Sequence, residues 1–349
     1  MARFLYAACG EGYGHATRAH SVGTGLMARG HEVQFLSSLK GGAYLREVFP
    51  DHFHEVFGLR VAFRDGQIRV MRTLAHNISN SFNLLRPSNA VIKRALCHYR
   101  PDLVISDFEP FTAFWSQWEG VPYISLDNVH VLTHCALDRP PGFLGDFLST
   151  YAAIRLHCAG AKRYLVSTFF KVPIRYHPTT LVPPILRPDV YTIEPSDGDF
   201  LLAYKSGFGQ HDDLRKALES YDRLPIRAYG FDHEGHHGHV TYRRVHPQTF
   251  LEDLASCVGV IGTAGHSLIC ECLHFGKPML LLPLHGQYEQ VINAHYVQKL
   301  GFGRSVPRLD STTIHEFVNG LDAYRCALTG TDKTQTIDTV LDTIEKEVP

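Results

Sequence analysis

The stretch from Gly262 to Gly303, GTAGHSLICECLHFGKPMLLLPLHGQYEQVINAHYVQKLGFG, constrains the fold more than any other part of the chain. It follows an apolar run, Val258 to Ile261, and opens in small residues before turning helical. A strand that breaks into a Gly-rich turn and continues as a helix is half of a βαβ unit. The first N–H groups of such a helix lack intrahelical partners and point into the turn with the positive end of the helix dipole. The turn is therefore a seat for an anion such as a phosphate. Behind it the pattern predicts a helix carrying Glu271, an apolar strand, a polar loop and a second helix starting near Glu289 and Gln290. A phosphate seat backed by hydroxyl-binding side chains reads as a nucleotide-sugar site. The rest of the chain must then supply an acceptor and a base.

The start of the chain has the same grammar. Arg3 to Cys9 is a mostly apolar strand that ends in Gly10-Glu11-Gly12-Tyr13-Gly14-His15. A helix is expected from about Ala16 to Arg29, closed by Gly30, and then a strand from Glu32 to Leu36. The G-x-G-x-G run lacks the final spacing of a dinucleotide fingerprint. No acidic residue caps the second strand, which ends in Phe35, Leu36, Ser37 and Ser38, so NAD is disfavoured. Further strands, Leu103 to Ser106 and Tyr123 to Leu126, end in Asp107 and Asp127. Ligands of open parallel sheets sit outside the carboxyl ends of the strands. That rule gathers His15, Asp107, Glu109 and Asp127 into a second candidate cluster.

With 349 residues, 44% of them hydrophobic, the chain is long enough for two domains. Pro173, Pro178, Pro183, Pro184, Pro188 and Pro195 crowd one stretch and place a linker at 184–198. The expected organisation is an α/β domain at 1–183, a second at 199–330 and a terminal helix at 331–349. From Ser311 onward the pattern reads as two helices. A net charge of -1 excludes an argument from bulk charge for nucleic acid or membrane. No apolar run reaches the length of a bilayer span, and the N-terminus reads as a first strand rather than a signal peptide. The eight Cys lack a metal or redox spacing and read as reduced thiols of a cytoplasmic protein. Four His in FDHEGHHGHV read as a solvated loop rather than a metal site. Between Gly66 and Pro101 there is no acidic residue, while Arg69, Arg72, Arg86, Lys93, Arg94 and Arg100 all fall there. A solvated helical face competes here with an anionic partner: a phosphate-bearing or lipid-linked acceptor, a membrane surface met peripherally, or a nucleic acid.

Two α/β halves with these residues resemble the GT-B glycosyltransferases, the fold of two Rossmann-like domains facing each other across a cleft. The segment from about Thr263 to Ala294 is similar to the inverting UDP-sugar enzymes, both the plant-type transferases and the N-acetylglucosaminyltransferase that makes lipid II. The matching residues are His266-Ser267, Glu271, Gly276-Lys277-Pro278, Pro283, Glu289-Gln290 and Asn293-Ala294. GEGYGHATR and VISDFEP look like a microbial subgroup of the same enzymes. The resemblance implies that Gly14, Gly265, His266 and Ser267 hold the diphosphate, with Ser206 and Gly207 closing over it. It implies that Glu271 accepts the ribose hydroxyls, that Glu289 and Gln290 hold the sugar, and that the base lies near Val245 and His246. It implies a general base at His15 oriented by Asp107, with no metal and no cofactor beyond the nucleotide-sugar donor. Competing readings are His15 as a phosphate contact, Asp107 as a helix cap, Glu109 as a rival base, and Glu271, Glu289 and Gln290 as ordinary helix residues. Two other functions stay open: a nucleotide-sugar hydrolase in which His15 activates water, and a non-catalytic anion-binding protein.

Overall fold

The computed structural model describes residues 1–56, 63–64, 67–68, 96–205, 212–330 and 336–349. Ser206, Gly207, Arg69, Arg72, Arg86, Lys93 and Arg94 lie outside the described residues. Two seven-stranded sheets carry the fold. The first contains β1 (Arg3–Ala8), β2 (Glu32–Ser37), β3 (Phe53–Glu55), β6 (Leu103–Asp107), β7 (Tyr123–Asp127), β8 (Arg163–Ser167) and β9 (Thr179–Val182). Its order is β3-β2-β1-β6-β7-β8-β9, and every pairing is parallel. A separate antiparallel pair, β4 (Phe63–Arg64) and β5 (Gln67–Ile68), lies outside it. The second sheet contains β10 (Leu201–Tyr204), β11 (Ile226–Tyr229), β12 (Gly235–His237), β13 (Val240–Arg243), β14 (Gly259–Gly262), β15 (Met279–Leu281) and β16 (Gly303–Ser305). Its order is β12-β13-β11-β10-β14-β15-β16, parallel except for the β12–β13 edge.

Strand order fixes where a ligand sits. In the first sheet the chain runs outward from β1 to β3, then returns to lay β6 on the other side of β1. In the second it runs outward from β10 and returns to lay β14 beside it. Each return opens a crevice at the carboxyl ends of two central strands, the switch point of an open sheet. The register sets Ala8 opposite Asp107 in one crevice and Tyr204 opposite Gly262 in the other.

The strands are apolar without alternation because both faces are covered. Phe4, Tyr6 and Ala8 point into one cluster with Ala16, Val22 and Leu26 of helix α1 (Gly14–Ala28). Leu5 and Ala7 point the other way, toward Val104, Trp115 and Tyr164. Tyr288, Val291, Ile292 and Tyr296 join that second cluster from a helix on the other sheet's side, Tyr288–Lys299. The Tyr296 ring stacks on Phe170 with centroids 3.8 Å apart. An apolar seam therefore joins the two halves directly below Glu289 and Gln290.

Several expectations are corrected. The end of the chain forms three helices, Ser311–Asn319, Leu321–Leu328 and Ile337–Glu345, not two. Gly320 interrupts the first pair, and Asp310 caps the first helix by accepting the Thr313 N–H at 2.7 Å. The His-rich segment forms the exposed edge strand β12, paired antiparallel with β13, rather than an irregular loop. The last of these helices, Ile337–Glu345, packs on α1. Val340, Leu341 and Ile344 enter the core of the first half. Arg29, at the end of α1, pairs with Asp338 at 2.8 Å, Asp342 at 2.7 Å and Glu345 at 2.9 Å. Partly exposed pairs of this kind contribute little each, so the apolar face carries the docking. Leu341→Ala is expected to cost about 2–4 kcal/mol of stability, read by denaturant unfolding, while Asp338→Asn changes it by under about 1 kcal/mol.

Candidate active site

At the first crevice, α1 begins at Gly14 without a side-chain cap and without an acidic residue in its first turn. Its second residue, His15, hangs over the carboxyl end of β6. The His15 Nδ1 stands 2.7 Å from Asp107 Oδ1. Asp107 is fully buried and also receives Arg18, whose Nε reaches Oδ2 at 2.7 Å and whose Nη2 reaches Oδ1 at 2.8 Å. Arg18 Nη2 lies 3.2 Å from His15 Nδ1 as well. A guanidinium is never an acceptor, so a neutral Nδ1 cannot serve both contacts as a donor. The shorter bond to the carboxylate assigns the proton to Nδ1. The lone pair then lies on Nε2, and the side chain is 20% exposed. This is the arrangement of a base oriented by a buried acid.

Glu109 has a different task. It is the N-cap of the helix Pro110–Glu119, accepting from the N–H of Phe111 at 3.1 Å and of Thr112 at 2.8 Å, with the Thr112 hydroxyl also at 2.8 Å. Burial pushes its carboxyl up against those donors. The cap considered for Asp107 is thus Glu109, and both oxygens of the rival base are occupied. Asp127 serves the next strand end: His130 Nδ1 lies 2.7 Å from Oδ2 and the Ser125 hydroxyl donates to the same oxygen at 2.7 Å. Burial works to raise that carboxyl, but His130 beside it holds it well below the usual range.

At the second crevice, Gly265 ends the turn after β14, and helix His266–Phe275 starts without a side-chain cap or an acidic first turn. The two uncapped helix starts meet. A Cβ on Gly14 would stand 2.7 Å from Ser267 Oγ, so the first residue of α1 lies against the opening of the other helix. Two helix starts, whose first N–H groups have no partner within the helix, and two positive dipole ends thus converge beside His15. His266 is buried, with Nε2 3.4 Å from Cys270 Sγ. Burial, helped by Arg18 and His15, pulls its pKa down to about 3, so it is a neutral imidazole at physiological pH.

Glu271 faces Arg187, which approaches through Nε at 2.8 Å and Nη2 at 3.1 Å. Glu289 receives Asn128 from the first half at 2.7 Å and Asn293 at 3.3 Å. Burial pushes its carboxyl up, against the pull of His15 and these two amides. Gln290 accepts the Leu284 N–H at 3.0 Å and donates to Gln287 at 2.7 Å, which fixes its amide. Val245 and His246 follow β13, three strand spacings from β14, or roughly 14 Å away. They are therefore not brought to the turn; that separation suits the far end of an elongated ligand. Among the described residues no group of three or more His, Cys, Asp or Glu is placed to hold a metal. No described helix is long and apolar enough to cross a membrane.

Three participants escaped the sequence reading. Arg18 had a signal, since it lies three residues after His15 on one helix face. Asn128 follows Asp127 and had only its position at a strand end. Arg187 had none, because nothing local marks a linker residue as the partner of Glu271.

A family model described as glycosyl transferase family 1 matches residues 2–322. An uncharacterized glycosyltransferase of Methanosarcina acetivorans is 22% identical over 364 residues, covering 91% of this chain and 90% of the relative. The glycotransferase of kitacinnamycin superposes with a TM-score of 0.73 at 16% identity, covering 100% of this chain and 99% of that one. Arabidopsis thaliana UGT89C1, solved with UDP, superposes with a TM-score of 0.68 at 16% identity over 100% of both chains. These neighbours share the GT-B fold, two Rossmann-like domains, expected from the sequence. With a family model that runs through both sheets and both helix starts, the chain belongs to glycosyl transferase family 1 and is a glycosyltransferase.

Proposed function

We propose that this glycosyltransferase inverts the anomeric centre of a UDP-linked sugar and that His15, oriented by Asp107, is its general base. The observation that carries the reading is the meeting of the His15–Asp107 pair with two uncapped helix starts. Nε2 takes the acceptor hydroxyl proton as its oxygen bonds to the anomeric carbon. The bond from that carbon to the diphosphate breaks on the opposite face, which inverts the centre. The N–H groups of both helix starts, with the Ser267 hydroxyl, offset the charge that develops on the departing nucleoside diphosphate. Asp107 stabilises the imidazolium that forms, while Arg18 keeps the carboxylate fixed. Glu271 receives the ribose hydroxyls, Glu289 and Gln290 the sugar hydroxyls, and the segment at Val245 and His246 the base. Ser206 and Gly207 keep their assigned place over the phosphates as part of the proposal. The UDP bound to a structural neighbour supports the choice of nucleotide.

Incubation with a panel of nucleotide sugars and hydroxyl acceptors tests the reading. Acceptor-dependent UDP release with an inverted product is expected; rapid sugar release without any acceptor overturns it in favour of hydrolysis. His15→Ala should lower kcat/KM by about 10²–10⁴-fold without loss of fold. Asp107→Ala should lower activity and also stability, by about 3–5 kcal/mol, because it strands the buried Arg18 charge. The two variants are separated by pairing initial rates with denaturant unfolding. A His that titrates near 3 does not shape activity above pH 5. His266→Gln should therefore leave the pH profile of kcat/KM above pH 5 as it is in the wild-type chain.

A further inference from the structure

Arg187 belongs to the segment that joins the two sheets. The preceding residue, Leu186, buries its side chain in the core of the second half, and its carbonyl accepts the Ser21 hydroxyl of α1 at 2.7 Å. Arg187 is thus anchored on both sides. Its planar fork meets Glu271 with one N–H on each oxygen, at 2.8 and 3.1 Å. The side chains are 14% and 9% exposed, so the pair is nearly dry.

A carboxylate has about four lone-pair sites. The fork takes two and leaves one on each oxygen. These face opposite sides of the carboxylate, so a ribose hydroxyl that donates to one of them is the match that remains. A neutral carboxylic acid would present an O–H of its own and lose that match. Burial pushes the Glu271 carboxyl up, and Arg187 is the group that opposes it.

We propose that Arg187 is a specificity-determining positioning residue, whose fork orients the Glu271 carboxylate so that a remaining lone pair accepts the 2′-hydroxyl of a ribonucleotide donor, the group a 2′-deoxyribonucleotide lacks. The inference rests on the reading of Glu271 as the ribose acceptor. It adds that discrimination is set from the linker, so that a neutral residue at 187 changes which nucleotide is accepted and makes that choice depend on pH. Arg187 does not touch the reacting atoms.

The test is calorimetric binding of UDP and 2′-deoxy-UDP between pH 5.5 and 8 to the wild-type chain, Arg187→Lys, Arg187→Met, Glu271→Gln and the double variant Arg187→Met/Glu271→Gln. The wild type is expected to prefer UDP by roughly tenfold or more across the range. Arg187→Met should lose most of that preference, and more of it toward low pH, because removing the charge that opposes burial favours the neutral carboxyl. Arg187→Lys, a point charge without the fork, should fall between. The double variant should discriminate no less than Glu271→Gln alone, since Arg187 acts through Glu271. It also carries no stranded charge, which guards against a misfolded single variant. Wild-type discrimination and pH profile in Arg187→Met, with only a lower unfolding temperature, would make the pair a structural tie and overturn the inference while sparing the reading of Glu271. A wild-type chain that binds both nucleotides alike overturns the two together.

Discussion

Asp107 is a carboxylate with no contact with solvent, and the site depends on how it is kept there. An unpartnered buried charge costs several kcal/mol, so its surroundings must supply donors. Arg18 gives it two N–H groups and a permanent positive charge; His15 gives it a third donor. Arg18 and His15 lie one helical turn apart on α1, so one carboxylate pins the start of that helix to the end of β6. The same contact fixes the tautomer of His15 and leaves the lone pair on Nε2. One ion pair thus both stabilises the helix start and orients the His15 ring.

The second dependence is topological. Each sheet reverses its strand order once, and each reversal puts a loop and an uncapped helix start at the carboxyl edge. Facing the two edges brings the helix starts of Gly14 and His266 together. Neither helix carries an acid in its first turn, so no fixed negative charge sits where they meet. Below this meeting the apolar seam of Tyr288, Val291, Ile292 and Tyr296 ties the halves. The helix that forms the seam also carries Glu289 and Gln290 in its first turn. These two side chains are therefore seated on the contact between domains.

Much of this was legible in the chain. Continuous apolar runs ending in Gly-rich turns announce buried parallel strands, and a parallel strand requires a crossover helix, so α/β layering follows. Residues placed by one turn were also legible: His15 after Gly14, Ser267 after Gly265, Glu289 and Gln290 at a helix start. What was less legible involves choices between near neighbours. Asp107 and Glu109 are two carboxylates in one short segment, and both cap and catalytic partner were chemically open to each. The backbone decides, because Pro110 starts the helix and the residue before it must be the cap. The edge strand at Gly235–His237 was missed because three exposed residues carry no apolar alternation to mark a strand.

The sequence by itself determined the α/β class, the two Gly-rich turns and the family resemblance, since these depend on local pattern and on spacing within one motif. Only the tertiary structure decided which groups share a partner. Asp107 binds a residue 92 positions away in His15, Glu271 one 84 away in Arg187, and Glu289 one 161 away in Asn128. Such pairings are made by strand order and domain seating, which bring strand ends together irrespective of their separation along the chain. A charge that must be buried takes whatever partner the fold delivers, and that partner leaves no mark in the residues beside it.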